Sequence, residues 1–101
     1  MGRGIARVGD MCAGHDGYPG TPIITGSNTM FCDGRGVACK GDKCAEHDKS
    51  HGHRHTPIIT GGSSFFTVDG KPVAVVGSEV AENCSSSNVI IEGSDTLSIE
   101  E

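Results

Sequence analysis

Short apolar runs punctuated by glycine recur along this chain. Thr21-Pro22-Ile23-Ile24-Thr25-Gly26 returns as Thr56-Pro57-Ile58-Ile59-Thr60-Gly61, and a weaker copy stands at Asn88-Val89-Ile90-Ile91-Glu92-Gly93. Such self-similarity marks a repeated supersecondary unit. After the first copy comes Phe31-Cys32-Asp33-Gly34-Arg35-Gly36-Val37-Ala38, and after the second Thr67-Val68-Asp69-Gly70-Lys71-Pro72-Val73-Ala74. Asp-Gly between two apolar runs predicts a two-residue hairpin turn, because glycine supplies the positive φ that the turn demands. A third element, Val8-Gly9-Asp10, Lys40-Gly41-Asp42 and Val76-Gly77-Ser78, closes each hairpin. The runs are rich in β-branched and small residues and predict strands of about four to six residues. No window sustains a helical period, so the expected fold is all-β.

A lone hairpin is marginal in water, so the units must pack on one another. Three β-hairpin repeats about a pseudo-threefold axis would bury their Ile and Val rows in a small cone or prism. The first unit is split: residues 1–10 supply its Gly-Asp end and residues 88–99 the strand that closes the ring, which brings the termini together. The length of 101 residues fits one domain, 1–101. With 35% hydrophobic residues, 4% aromatic and no Trp, no thick core is available, and a small domain of this kind needs disulfides, a metal or a partner as a staple. The net charge of −5, from 8 basic and 13 acidic residues, lacks the footprint for phosphate backbones, so nucleic acid is excluded as a partner.

The N-terminus carries no apolar run of the kind a Sec signal peptide needs, which places synthesis in the cytosol. No stretch approaches the ~18 apolar residues of a spanning helix. Five Cys, an odd number, in a reducing compartment argue for metal ligation or inert thiols rather than a disulfide framework. The register beyond each Gly-Asp is suggestive: Met11-Cys12-Ala13-Gly14-His15 aligns with Lys43-Cys44-Ala45-Glu46-His47, and the third copy runs Glu79-Val80-Ala81-Glu82-Asn83-Cys84. Equivalent loops of a threefold object meet at one end, so His15, His47 and Cys84 are expected to converge. A fourth ligand comes from His51, His53 or His55; His55 is preferred because the Thr-Pro-Ile-Ile strand anchors it. Imidazole and thiolate together suit zinc, and four protein donors make a closed, structural site. Cys12 and Cys44 also match each other and form a rival ligand pair, against which Val80 stands in the third copy. Cys32 and Cys39 read as small buried hydrophobes. Asp16, Glu46, Asp48 and Ser85-Ser86-Ser87 lack any spacing of a catalytic motif, and neither a nucleophile elbow nor a phosphate loop is present. No catalytic residue is assigned.

The apolar strand, the Asp-Gly-Lys-Pro-Val-Ala and Val-Gly elements and the Gly-Asp-x-Cys-Ala-x-His loops resemble the PAAR-repeat family over roughly residues 4 to 99. Gly36-Val37-Ala38-Cys39 and Pro72-Val73-Ala74-Val75 stand where its Pro-Ala-Ala-Arg motif belongs. The resemblance implies a cone forming the pointed tip of a type VI secretion spike, its base on the trimeric valine-glycine repeat spike protein and its apex holding Zn2+ through three His and one Cys. Carried onto this chain, the ligands are His15, His47, His55 and Cys84. It further implies a monomer on a trimer, loaded in the cytoplasm and then translocated, that meets the target membrane only on piercing. Any effector is expected to be a separate polypeptide, none being fused. Ile23, Ile58 and Ile90 are expected to serve docking as well as core. Two rivals are a metal-buffering protein, favoured by the His-rich loop, and a small zinc hydrolase using Glu46 or Asp48.

Overall fold

In the computed structural model, which describes residues 2–14, 20–48, 54–81 and 88–99, the described residues form no helix. The strands are β1 Arg3–Gly4, β2 Phe31–Cys32, β3 Arg35–Gly36, β4 His47–Asp48, β5 Arg54–His55, β6 Ile58–Ile59, β7 Thr67–Val68, β8 Lys71–Pro72, β9 Glu79–Ala81, β10 Asn88–Val89 and β11 Ser98–Ile99. They are two or three residues long, shorter than the four to six expected. The reason is topological: each segment exchanges one partner for another as it crosses from hairpin to axis to loop, so no ladder runs far.

Two hairpins, β2–β3 and β7–β8, turn at Asp33-Gly34 and Asp69-Gly70. Both central residues of each turn have positive φ, 54° and 79° in the first and 54° and 80° in the second, the geometry that matches strand twist in a two-residue loop. The third hairpin is assembled from the two chain ends, with Arg3 opposite Ile99 and Gly4 opposite Ser98, as the split repeat predicts.

Inside the hairpins the backbone closes on itself. Ala38 N–H donates to the Ala6 carbonyl, Ala74 to Ala38, and Ala6 to Ala74, each at 2.9 Å, and all three alanines are fully buried. Beyond this cycle the segments pair around a second closed ring. Met11 faces Pro22, Ile23 faces Cys44, Lys43 faces Ile58, Ile59 faces Val80, Val80 faces Asn88, and Ile90 returns to Cys12. Closure of this kind removes open sheet edges. Two hydrophobic layers fill the rings in threes. One holds Ala6, Ala38 and Ala74 with Cys12, Cys44 and Val80 and with Ile23, Ile59 and Ile90. The other holds Ile5, Val37 and Val73 with Cys32, Val68 and Ile99. Cys32 and Cys39 are buried in this second layer, as expected.

The ring corrects the sequence register. Ile23 and Ile90 are buried to 1% exposure, whereas in the second unit Ile59 is the buried residue and Ile58 is 44% exposed. The copies Thr21-Pro22-Ile23-Ile24 and Thr56-Pro57-Ile58-Ile59 are therefore offset by one residue in space. Gly61-Gly62 precedes Ser63 where a single Gly26 precedes Ser27, and the extra residue slides the strand, which turns every side chain to the opposite face. Ile23 and Ile90 thus belong to the core and are not docking residues; only Ile58 of the three is exposed.

The same register reveals a third motif copy, Gly4-Ile5-Ala6-Arg7, which alone keeps the arginine. A Cβ at Gly4 would lie 2.5 Å from the Ser94 carbonyl oxygen, and one at Gly36 2.6 Å from that of Ser27, so two of the three copies have no room for the motif's leading proline. Arg7 is buried. It holds Asp10 through Nε and Nη2, both at 2.9 Å, and reaches Asp33 through Nη1 at 2.6 Å. Asp33 also accepts from the Ser94 hydroxyl at 2.7 Å and the Thr96 hydroxyl at 2.6 Å, so this one carboxylate joins the hairpin turn to the first and third units.

Two outcomes follow. Ala38→Leu, which forces a larger side chain onto the alanine cycle, is expected to cost about 1–3 kcal/mol by overpacking, read from urea unfolding. The Thr96 and Ser94 hydroxyls, with Cys32 and Arg7, hold the Asp33 carboxyl down to about 2 from its ordinary 3.8. Its contribution is therefore complete above the ordinary value and is lost as pH falls from about 4 through about 2. Melting across that window is expected to show a fall that Asp33→Asn abolishes, the variant being less stable than wild type at neutral pH.

Candidate metal centre

The chain leaves the closed ring after Gly14, after Asp48 and after Ala81. These points of departure are fixed by backbone hydrogen bonds between units. Ala13 N–H donates to the Val89 carbonyl at 2.9 Å, and Ala45 N–H to that of Pro22 at 2.8 Å, so each loop starts from the preceding unit's strand. Gly14 N–H then donates to Asn88 Oδ1 at 2.9 Å. Asn88 is buried to 3% exposure, and its side chain sets the direction in which the chain leaves toward position 15.

The second loop is bounded by the β4–β5 ladder, in which His47 lies opposite His55 and Asp48 opposite Arg54. Two of the four expected ligand positions are thereby facing neighbours on an antiparallel pair. Directly opposed positions have Cα atoms about 4.5–5.5 Å apart, a span that one ion can bridge. His15 and Cys84 lie outside the described residues, as do the alternatives His51 and His53, and also Asp16 and Ser85–Ser87.

The rival pair lies elsewhere. Cys12 and Cys44 are fully buried in the ring layer beside Val80, with their sulfur atoms in contact and Cα atoms 7.4 Å apart. The threefold brings these side chains, 32 positions apart, together on the axis. It also removes both sulfurs from the loop end, among aliphatic neighbours. Cys39 is equally unsuited to act as a thiolate. Burial, and next the charge of Asp42, push its thiol up to about 11, so it stays protonated at neutral pH.

Asn88 was not among the candidates drawn from sequence. Its signal lay in the weak third copy, Asn88-Val89-Ile90-Ile91, where the polar residue stands in place of Thr21 and, after the one-residue offset, of Pro57.

A family model, the PAAR motif, matches the chain in two overlapping stretches, residues 1–49 and 46–101. No curated protein matches it. Among the described residues no helix is long and apolar enough to cross a membrane.

Asn88→Ala deprives the Gly14 amide of its acceptor and is expected to cost about 1 kcal/mol, the usual net worth of a part-buried hydrogen bond. Faster hydrogen exchange at the Gly14 amide, with the alanine-cycle amides remaining the slowest, is the measurement that checks it.

Proposed function

The chain belongs to the PAAR-motif family, structural components of the type VI secretion spike, and we propose that it caps and sharpens the trimeric β-helical spike, with a zinc ion pinning its apex. Family membership carries with it association with the valine-glycine repeat spike protein and passage out of the cell with that spike. The finer reading gives this chain a base, formed by the Asp-Gly hairpins and the paired termini, that sits on the spike. It also gives an apex formed by the three loops.

The observation that carries the metal reading is the His47–His55 register on β4–β5, with the inter-unit bonds that hold the ring where Ala13 and Ala45 precede two of the loops. The donor set fits zinc: His15, His47 and His55 would supply imidazole nitrogen and Cys84 thiolate sulfur, a closed tetrahedral complement. Bound there, Zn2+ would tie together loops from three units, which couples metal binding to folding of the apex. A closed set leaves no open coordination position, which makes the role structural and non-enzymatic.

The experiment has two arms. Elemental analysis of the purified protein is expected to give one zinc per chain, with His15→Ala, His47→Ala and Cys84→Ala each losing zinc and melting earlier. Full zinc content and unchanged melting in all three would sink the site. Size-exclusion chromatography with the purified spike trimer is expected to show one chain per trimer, and failure to comigrate would remove the capping role.

A further inference from the structure

Cys12, Cys44 and Val80 fill equivalent places in one hydrophobic layer, one from each unit. Cys12 N–H donates to the Thr21 carbonyl at 3.0 Å and Cys44 N–H to that of Pro57 at 2.9 Å, so each cysteine is carried on a strand that its own unit holds in place. Both are fully buried, and their sulfur atoms are in contact. The third unit supplies the aliphatic side chain of Val80 instead of a third thiol, which leaves each sulfur a single partner in the layer. Cys32 and Cys39 lie in the other layer as free thiols.

A domain with so little to bury calls for a staple, and this pair offers one that needs no ligand. We propose that Cys12 and Cys44 form an oxidation site, two thiols in a reducing compartment and one disulfide in oxidising surroundings, which fastens the first unit to the second across the axis. Passage out of the cell with the spike, which the family carries, takes the chain from the first condition to the second. The oxidant is a small-molecule disulfide. One cysteine thiolate attacks its S–S bond and releases one thiol; the other cysteine attacks the resulting mixed disulfide and releases the second. The S–S bond of the protein forms as that of the oxidant breaks, and the two cysteine protons end on the two released thiols. Since both sulfurs are buried, the exchange proceeds when the ring opens locally. The Cα atoms stand 7.4 Å apart, beyond the ~4.4–6.8 Å usual for a disulfide, so the bond draws the two strands inward. It also links residues 32 positions apart, and that constraint removes entropy from the unfolded chain.

The full chain is purified under reductant, held with oxidised glutathione, then unfolded in the presence of a chelator and alkylated. Two of its five thiols are expected to escape alkylation, with Cys12 and Cys44 joined in the non-reduced peptide map. The oxidised protein is expected to melt about 10 °C above the reduced one. Cys44→Val, which copies the third unit, is expected to form no such link and to melt at the same temperature with and without the oxidant. Five alkylated thiols in the oxidised wild type overturn the inference, as does a link that maps to other cysteines. A melting rise that Cys44→Val retains, or a Cys12–Cys44 link that leaves melting unchanged, overturns the stapling role. The map is read on the wild type, so it stands whether or not the variant folds. Zinc content and comigration with the spike trimer decide the preceding reading separately.

Discussion

Cyclic closure of the backbone is the constraint on which everything else here depends. Three alanine amides hand a hydrogen bond from one unit to the next until the first is reached again. A cycle of that size admits nothing larger than a methyl group at its centre, which accounts for Ala6, Ala38 and Ala74 at equivalent places in otherwise divergent copies. Because the chain must return to this line three times, strands are short and each unit leans on both neighbours. Stability is thereby shared by all three units, and a core with almost no aromatic content suffices.

Within that frame the three units have diverged. A polar side chain caps the turn in every unit: Arg7 N–H donates to Asp10, Cys39 N–H to Asp42 and Val75 N–H to the Ser78 hydroxyl. The charge placed above the cap differs. Arg7 fills the first position and is clamped between two carboxylates, whereas Cys39 leaves a recess of about 30 Å3 bordered by Asp42, Asp69 and Lys71. Val75 makes the third position apolar. A buried ion pair is weak support for stability in general. Here the Asp33 carboxylate, which accepts from Ser94 and Thr96 of the third unit, also holds Arg7 of the first, and the arginine so marks one seam of a nearly symmetric body as different from the others.

Much of this was legible in the sequence. The Asp-Gly turns announce themselves through the φ they require, the split first unit follows from counting copies, and the burial of Cys32 and Cys39 follows from their strand positions. Two features were not legible. The offset between Ile23 and Ile58 is hidden by an identical six-residue string, and only the doubled glycine downstream hints that the strand has slid. Gly4-Ile5-Ala6-Arg7 is hidden because its first residue has no space for proline, although Ala6 lies the same distance before Gly9-Asp10 as Ala38 before Gly41-Asp42. Of the site, the opposition of His47 and His55 follows from a loop that leaves and re-enters one ladder. The buried contribution of Asn88 depends on contact with a different unit, which a pattern read along one strand does not contain.

The pairing of Arg3 with Ile99 bears on the covalent order of the units. Since the hairpin built from the two ends occupies the same place as the hairpins at Asp33 and Asp69, the ring has no intrinsic beginning, and the position of the cut is independent of the architecture. Circular permutants opened at either Asp-Gly turn, with the present ends joined, preserve every inter-unit bond of the axis.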